Sequence, residues 1–172
     1  MAPDIAVRPE PRQPPAAAPA VDVAAVVTRL REQGVDVVRL SFADLIGVDR
    51  GRDVLLDELA RVAEHGLAFC RAAFHTSPRG DVVPVPGGLD AGLPDITVRP
   101  DLATLTPLPW EPGAAWCVGD AWGQDGGPAA ESPRHVARQV SRRLAELGLR
   151  AVVGPELEFF LCERAADGSW RR

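Results

Sequence analysis

Two glutamates near the end of the sequence offer the clearest chemistry. Glu156 and Glu158 occupy alternate positions in residues 151–162, a run that is otherwise mainly apolar. This alternation predicts a β-strand on which both carboxylates project from one face, while Leu157 and Phe159 point to the opposite, buried face. Paired carboxylates are suitable ligands for hard cations such as Mg²⁺ or Mn²⁺. The alternative is two solvated glutamates on an exposed sheet face, and the local pattern alone favours it.

Cys70 is a second candidate, because His75 follows it closely in the sequence. A nucleophilic thiol needs a base such as this histidine. The alternative, a semi-buried structural thiol, is favoured because free cysteines usually behave as small hydrophobic residues. The other cysteines, Cys117 and Cys162, are distant in sequence and complete no CxxC or zinc pattern. An odd number of scattered cysteines predicts free thiols in a cytoplasmic protein.

Composition excludes several classes of protein. The sequence has 172 residues, 46% of them apolar, and a formal net charge of -5. An acidic chain of this kind is not expected to bind nucleic acid, which requires an excess of basic residues. No apolar run approaches the roughly 20 residues that span a bilayer, so no membrane association is expected. Residues 1–20 contain six Pro and six Ala without a basic leader, which predicts a disordered or extended tail and not a signal peptide.

Hydrophobic periodicity and capping residues predict the elements that must position these side chains. Asp22 and Ser132 are typical N-caps, and glycines follow the two helices that they begin. The predicted helices cover residues 23–33, 57–65 and 133–147. The predicted strands cover residues 35–43, 52–56, 102–106, 114–121 and 151–162. A long Pro- and Gly-rich loop is predicted over residues 75–100. The last strand either joins the first sheet or opens a second domain.

A series of short motifs also occurs in a fixed order between residues 35 and 162. They are Asp-Leu-Ile-Gly at 44–47, Gly-Leu-Ala-Phe at 66–69, Pro-Asp at 94–95 and 100–101, Thr104 with Pro-Leu-Pro-Trp at 107–110, Asp120 with Asp-Gly at 125–126, Ser-Pro-Arg at 132–134, and Gly-Pro-Glu-Leu-Glu-Phe-Phe-Leu at 154–161. Each motif is weak alone. In this order and spacing, they resemble the glutamine synthetase family.

The resemblance implies an α+β fold with two domains. Residues 21–128 would form the family's β-grasp N-terminal domain, and residues 129–172 would supply the first helix and strand of its catalytic domain. Residues 1–20 would be the tail outside both domains. The chain would then be the truncated N-terminal portion of a longer enzyme.

The resemblance also implies a reaction and its participants. ATP would phosphorylate the γ-carboxylate of glutamate, and ammonia or an amine would then displace the phosphate. Glu156 and Glu158 would each bind one of two divalent metals, Mg²⁺ or Mn²⁺, with Glu156 nearer to the ATP phosphates. The active form would be a homo-oligomer, a dodecamer of two hexameric rings.

One departure from the family pattern concerns the amine. Ammonia-using members have an Asp-Gly-Ser-Ser type segment after the position of Phe69, and its Asp helps to bind and deprotonate ammonium in the neighbouring subunit's site. Here the segment is Cys-Arg-Ala-Ala, with Cys70 at the position of that Asp. This favours a γ-glutamylpolyamine or other γ-glutamylamine synthetase over a true glutamine synthetase. An alternative of a different class is a non-catalytic β-grasp module that only assembles with other subunits.

Overall fold

In the computed structural model, which describes residues 21–172, three α-helices and eight β-strands follow one another along the chain. The helices are α1 (Val23–Glu32), α2 (Leu59–His65) and α3 (Pro133–Glu146). The strands are β1 (Val37–Ala43), β2 (Asp49–Leu55), β3 (Leu67–Cys70), β4 (Asp95–Pro100), β5 (Thr106–Pro107), β6 (Ala114–Trp122), β7 (Glu163–Arg164) and β8 (Trp170–Arg171). The predicted tail over residues 1–20 lies outside the described residues.

Six of these strands form one curled sheet. Their order is β2-β1-β6-β4-β3, with β5 paired to β6. Residues 114–118 of β6 run parallel to β1, while residues 119–122 run antiparallel to β4. The two ends of the sheet approach each other, since the ring centroids of Phe42 in β1 and Phe69 in β3 are 5.0 Å apart. The guanidinium of Arg52 in β2 also lies over the Phe69 ring, 4.7 Å from its centroid.

The core lies between this sheet and helices α1 and α2. The α1 helix begins at its predicted cap, where the Asp22 carboxylate accepts a hydrogen bond of 3.1 Å from the amide of Ala25. Leu30 of α1 and Val62 of α2 are almost fully buried, and they pack with apolar residues of the sheet. These contacts confirm the α+β class, whereas the β-grasp assignment stays a prediction. Among residues 21–172, no helix is both long enough and apolar enough to cross a bilayer.

The predicted first hairpin forms, although its second strand begins at Asp49, three residues before the predicted start, and Asp44 fixes the turn. The Asp44 side chain is buried and accepts hydrogen bonds from the amides of Ile46 and Val48 and from Nε of Arg50. Burial raises the pKa of this carboxyl, but these three donors outweigh it and hold the pKa below its usual value. A charged carboxylate therefore orders the loop between β1 and β2.

The predicted strand over residues 151–162 is wrong. This segment has no helix or strand, and Leu157, Phe159 and Leu161 are each more than 80% exposed. A strand requires a neighbour for its backbone hydrogen bonds, and no strand within residues 21–172 pairs with this segment. The predicted buried face is likewise not formed, because no partner strand covers it within the described residues.

Two other predictions need correction around the long loop. The predicted strand over 102–106 is a 3₁₀ turn at Leu102–Thr104 followed by the two-residue β5, because Asp101 caps that turn at the amide of Ala103. The loop predicted over 75–100 ends earlier, since its last six residues form β4. The four-residue β3 was also not predicted, although its alignment with β4 places Cys70 in the sheet.

Gly119 lies at the point where β6 changes partners, and we expect its replacement to be costly. A Cβ atom at this position would lie 2.3 Å from Cγ1 of the buried Val98 and 3.2 Å from Cδ1 of Leu40. We expect Gly119→Ala to lower the free energy of unfolding of this chain by about 1–3 kcal/mol, measured by urea denaturation. Gly154→Ala is the matched control, because its Cβ would meet nothing within 4 Å. Equal stability of the two variants would contradict this packing.

Candidate functional site

Cys70 lies at the exposed end of β3, opposite Asp95 of β4. Its thiol contacts the carbonyl of Leu93 at 3.9 Å, and Leu93 has a left-handed backbone with φ of 52°. The proposed base, His75, directs its Nε2 to Glu131 at 3.4 Å. The structure therefore gives no support to a Cys–His nucleophile, and it presents Cys70 as an accessible thiol on a sheet edge.

Cys117 is a different kind of thiol. It is fully buried in β6, and its sulphur contacts the backbone oxygen of Asp101 at 3.3 Å. Burial raises its pKa to about 11, so the thiol stays protonated at neutral pH. Cys117 is therefore a core residue, as expected for a buried free cysteine.

The side chains of Arg71, His75 and Glu131 meet beside the turn that follows Cys70, and we call these three residues the Glu131 cluster. Nε of Arg71 donates to Oε1 of Glu131 at 2.5 Å, and its Nη2 contacts the same oxygen. Nη1 of Arg71 donates to the carbonyl of Gly87 at 2.9 Å, while His75 approaches Glu131 from the buried side. The cluster thus joins the turn after β3, the loop at Gly87 and the residue before the cap of α3.

The charge of Glu131 is retained in this setting. Burial raises the pKa of the Glu131 carboxyl, but hydrogen bonds from its own amide and from Arg71 outweigh burial, as do the charges of Arg71 and His75. The net result is a pKa below the ordinary value for Glu. No local pattern indicates Glu131, because its partners lie about 60 residues away and only the fold brings them together.

A second ionic cluster attaches α3 to the sheet. Arg134 donates to Asp120 at 2.9 Å and to Asp101 at 2.5 Å, and Arg138 donates to the same two carboxylates at 2.6 Å and 2.7 Å. Residues four apart lie on one face of a helix, so both guanidinium groups reach the sheet together. Asp101 therefore caps a turn at the amide of Ala103 and pairs with both arginines.

Glu156 and Glu158 are both exposed in the extended segment over residues 151–162. Neither glutamate forms a hydrogen bond or ion pair with the Glu131 cluster, and their role as metal ligands stays a prediction. No group of three or more His, Cys, Asp or Glu suited to a metal ion occurs in the described part of the chain. Two carboxylates offer the oxygen donors that Mg²⁺ and Mn²⁺ prefer, but they fill only part of a shell of about six ligands. The donor type therefore fits such a metal, and further ligands would be needed.

Comparison with known proteins identifies the family. Residues 130–172 match the family model described as glutamine synthetase, catalytic domain. This match begins one residue before Glu131 and includes α3, Glu156 and Glu158. The chain belongs to the glutamine synthetase family.

The relatives include enzymes named for different amines. The chain is 35% identical over 144 residues to the gamma-glutamylethanolamide synthetase GlnA4 of Streptomyces coelicolor, covering 79% of this chain and 30% of that protein. It is 32% identical over 136 residues to the glutamine synthetase of Pyrococcus horikoshii, covering 79% of this chain and 27% of that protein. The solved structure of apo GmaS without ligand superposes with a TM-score of 0.58 at 29% identity, over 71% of this chain and 26% of that one. The chain thus spans less than a third of the length of these relatives.

Proposed function

We propose that this chain is part of an ATP-dependent ligase that joins the γ-carboxyl group of glutamate to an amine larger than ammonia. Residues 21–128 would be its β-grasp N-terminal domain, and residues 129–172 would begin its catalytic domain. The start of the family match at residue 130 supports this division. The proposal includes a homo-oligomer. It also places the enzyme in the cytoplasm, a reducing compartment in which free cysteines such as the three of this chain persist.

The proposed reaction has two steps. An oxygen of the glutamate γ-carboxylate attacks the γ-phosphorus of ATP, and ADP leaves. The amine nitrogen then attacks the γ-carbonyl carbon, phosphate leaves, and the nitrogen loses a proton. Glu156 and Glu158 would hold Mg²⁺ or Mn²⁺, with Glu156 on the side of the ATP phosphates. When bound, the metal supplies stabilisation of the negative charge that develops during phosphoryl transfer.

The observation that carries the choice of amine is the exposed thiol at position 70. Ammonium requires a carboxylate to offset its loss of solvation and to accept its proton. Cys70 supplies a thiol where a carboxylate would be required, and Arg71, its nearest cation in sequence, is engaged by Glu131. The half-buried Ala72 and Ala73 add apolar surface beside it. These features favour an alkylamine or polyamine.

The experiment is an amine panel with the full-length enzyme. We expect ATP- and glutamate-dependent phosphate release to show a higher kcat/KM for at least one primary alkylamine or polyamine than for ammonium. Ethanolamine belongs in the panel because a relative is named for its product. A higher kcat/KM for ammonium than for every amine tested would overturn the choice of amine. Absence of release with any of them would overturn the ligase proposal and favour an assembly module.

A further inference from the structure

The Glu131 cluster lies beside the end of β3, where the sheet provides few hydrogen bonds to hold the chain in place. β3 has only four residues, and as an end strand it pairs on one side only, with β4. Beyond Cys70 the chain leaves the sheet in a 3₁₀ turn, Arg71–His75. One backbone hydrogen bond, from the amide of Arg71 to the carbonyl of Pro94 at 3.1 Å, continues the pairing. Contacts outside the sheet must therefore fix the direction of this turn.

The Arg71 side chain supplies the ionic part of these contacts, beside the core packing of the fully buried Phe74. Its guanidinium is held from two sides, by the Glu131 carboxylate and by the Gly87 carbonyl. Charge-assisted hydrogen bonds of this kind are stronger and more directional than neutral ones. The side chains of Arg71 and Glu131 are 30% and 20% exposed, so water screens the pair only partly. The residue that follows Cys70 is thereby tied to the start of α3.

His75 completes the cluster at a cost. Its side chain is only 5% exposed, and its Nδ1 has no hydrogen-bond partner among the described residues. A buried nitrogen without a hydrogen-bond partner is unfavourable, so the His75 imidazole lowers the stability of the fold at this position. Its compensating contact is Glu131, which makes that one carboxylate the common partner of both side chains in the turn.

We propose that Glu131 is a positioning residue for the amine: by holding Arg71, it sets the position of Cys70 and its neighbours at the end of β3. This inference rests on the proposed function, in which Cys70 faces the amine. Glu131 itself would touch no substrate. Because it directly precedes the cap of α3, it would also couple the Cys70 turn to the segment that matches the catalytic domain.

The kinetic test uses Glu131→Gln in the full-length enzyme. The amide keeps the shape of the side chain but removes its charge, so we expect the KM of the preferred amine to rise about tenfold. The KM values of ATP and glutamate and the kcat at saturating amine should change less than twofold. Glu131→Asp keeps the charge and should recover part of the loss. Glu111→Gln is the matched control, because Glu111 forms a comparable pair with Arg39 elsewhere on the sheet.

A second variant tests the same contact from the other side. Arg71→Gln should raise the amine KM to a similar extent, and the double variant should be less impaired than the two single effects combined, since each single variant already loses the Arg71–Glu131 pair. An unchanged amine KM in folded Glu131→Gln and Arg71→Gln enzymes would overturn the inference. So would an equal rise in all three KM values, which indicates general destabilisation.

Hydrogen exchange separates this inference from the proposed function. In Glu131→Gln, amides of residues 67–75 should exchange several-fold faster than in wild type, while those of residues 114–122 in β6 should not change. An enzyme without ligase activity that still shows this local change would refute the proposed function and leave the positioning contact intact. Unchanged exchange over residues 67–75 would overturn the positioning role whatever the reaction.

Discussion

Glu156→Gln in the full-length enzyme is expected to lower kcat for ATP-dependent ligation by roughly 100-fold or more. The substitution removes the negative charge that would hold a divalent cation beside the ATP phosphates, while the side-chain shape is retained. Glu158→Gln should have a similar effect through the second metal. Both residues are exposed in the described part of the chain, so neither change should lower the stability of this part. The measurement is phosphate release with glutamate, ATP and the preferred amine at saturating concentrations.

Metal binding provides the complementary readout. The full-length enzyme should bind Mn²⁺, and the Glu156→Gln/Glu158→Gln variant should bind it much more weakly. The 172-residue chain should bind Mn²⁺ weakly even with both glutamates, because one carboxylate per metal would leave most of the roughly six ligand positions to water. Glu163→Gln is the matched control, an identical change of charge at an exposed residue of β7. Activity within tenfold of wild type in Glu156→Gln, or tight Mn²⁺ binding by the 172-residue chain, would refute this assignment.

Elements defined by local chemistry were predictable from the sequence. The caps at Asp22 and Ser132 accept hydrogen bonds from Ala25 and His135, as their residue types indicate. The β1–β2 hairpin follows from alternation and a turn with Asp and Gly. These features depend on residues within about ten positions of one another, so a local pattern contains the necessary information.

Features that depend on distant partners were not predictable in the same way. β3 and β4 are short, lie at the two ends of a Pro- and Gly-rich stretch, and become strands only through mutual pairing and the second half of β6. The opposite error occurred at residues 151–162, where strong alternation has no partner strand within the described residues. Pairing between strands, and not propensity, decided both cases.

The candidate site likewise contains residues that the sequence indicated and contacts that only the fold creates. The alternate spacing over residues 151–162 selected Glu156 and Glu158 as candidates, and the family resemblance predicted that Cys70 faces the amine. The ionic contacts around these positions were not visible in the sequence, because Arg71 and Glu131 are 60 residues apart. One local signal was available for the other cluster: Arg134 and Arg138 are four residues apart and therefore share one face of α3. Their partners, Asp101 and Asp120, required the fold.

Cys70→Asp is expected to shift amine preference toward ammonium. In the full-length enzyme, the ratio of kcat/KM for ammonium to that for the preferred amine should rise by roughly 10- to 100-fold, since a carboxylate offsets ammonium desolvation and accepts its proton. Cys70 is exposed, so the new side chain fits without repacking the core. Asp95 lies directly opposite in the sheet, and this like-charge pair should cost about 0.2–1 kcal/mol of stability.

The matched control is Cys70→Ser, which removes the thiol without adding charge. It should leave the preference nearly unchanged, because a neutral hydroxyl neither balances an ammonium charge nor removes its proton at neutral pH. The comparison of Asp with Ser therefore isolates the effect of the carboxylate from the loss of sulphur. If Cys70→Asp and Cys70→Ser give the same ratio, position 70 does not face the amine. In that event, the exposed thiol at the end of β3 has no bearing on substrate choice. Asp95 would be the next residue to replace, because it is the carboxylate directly opposite Cys70 in the sheet.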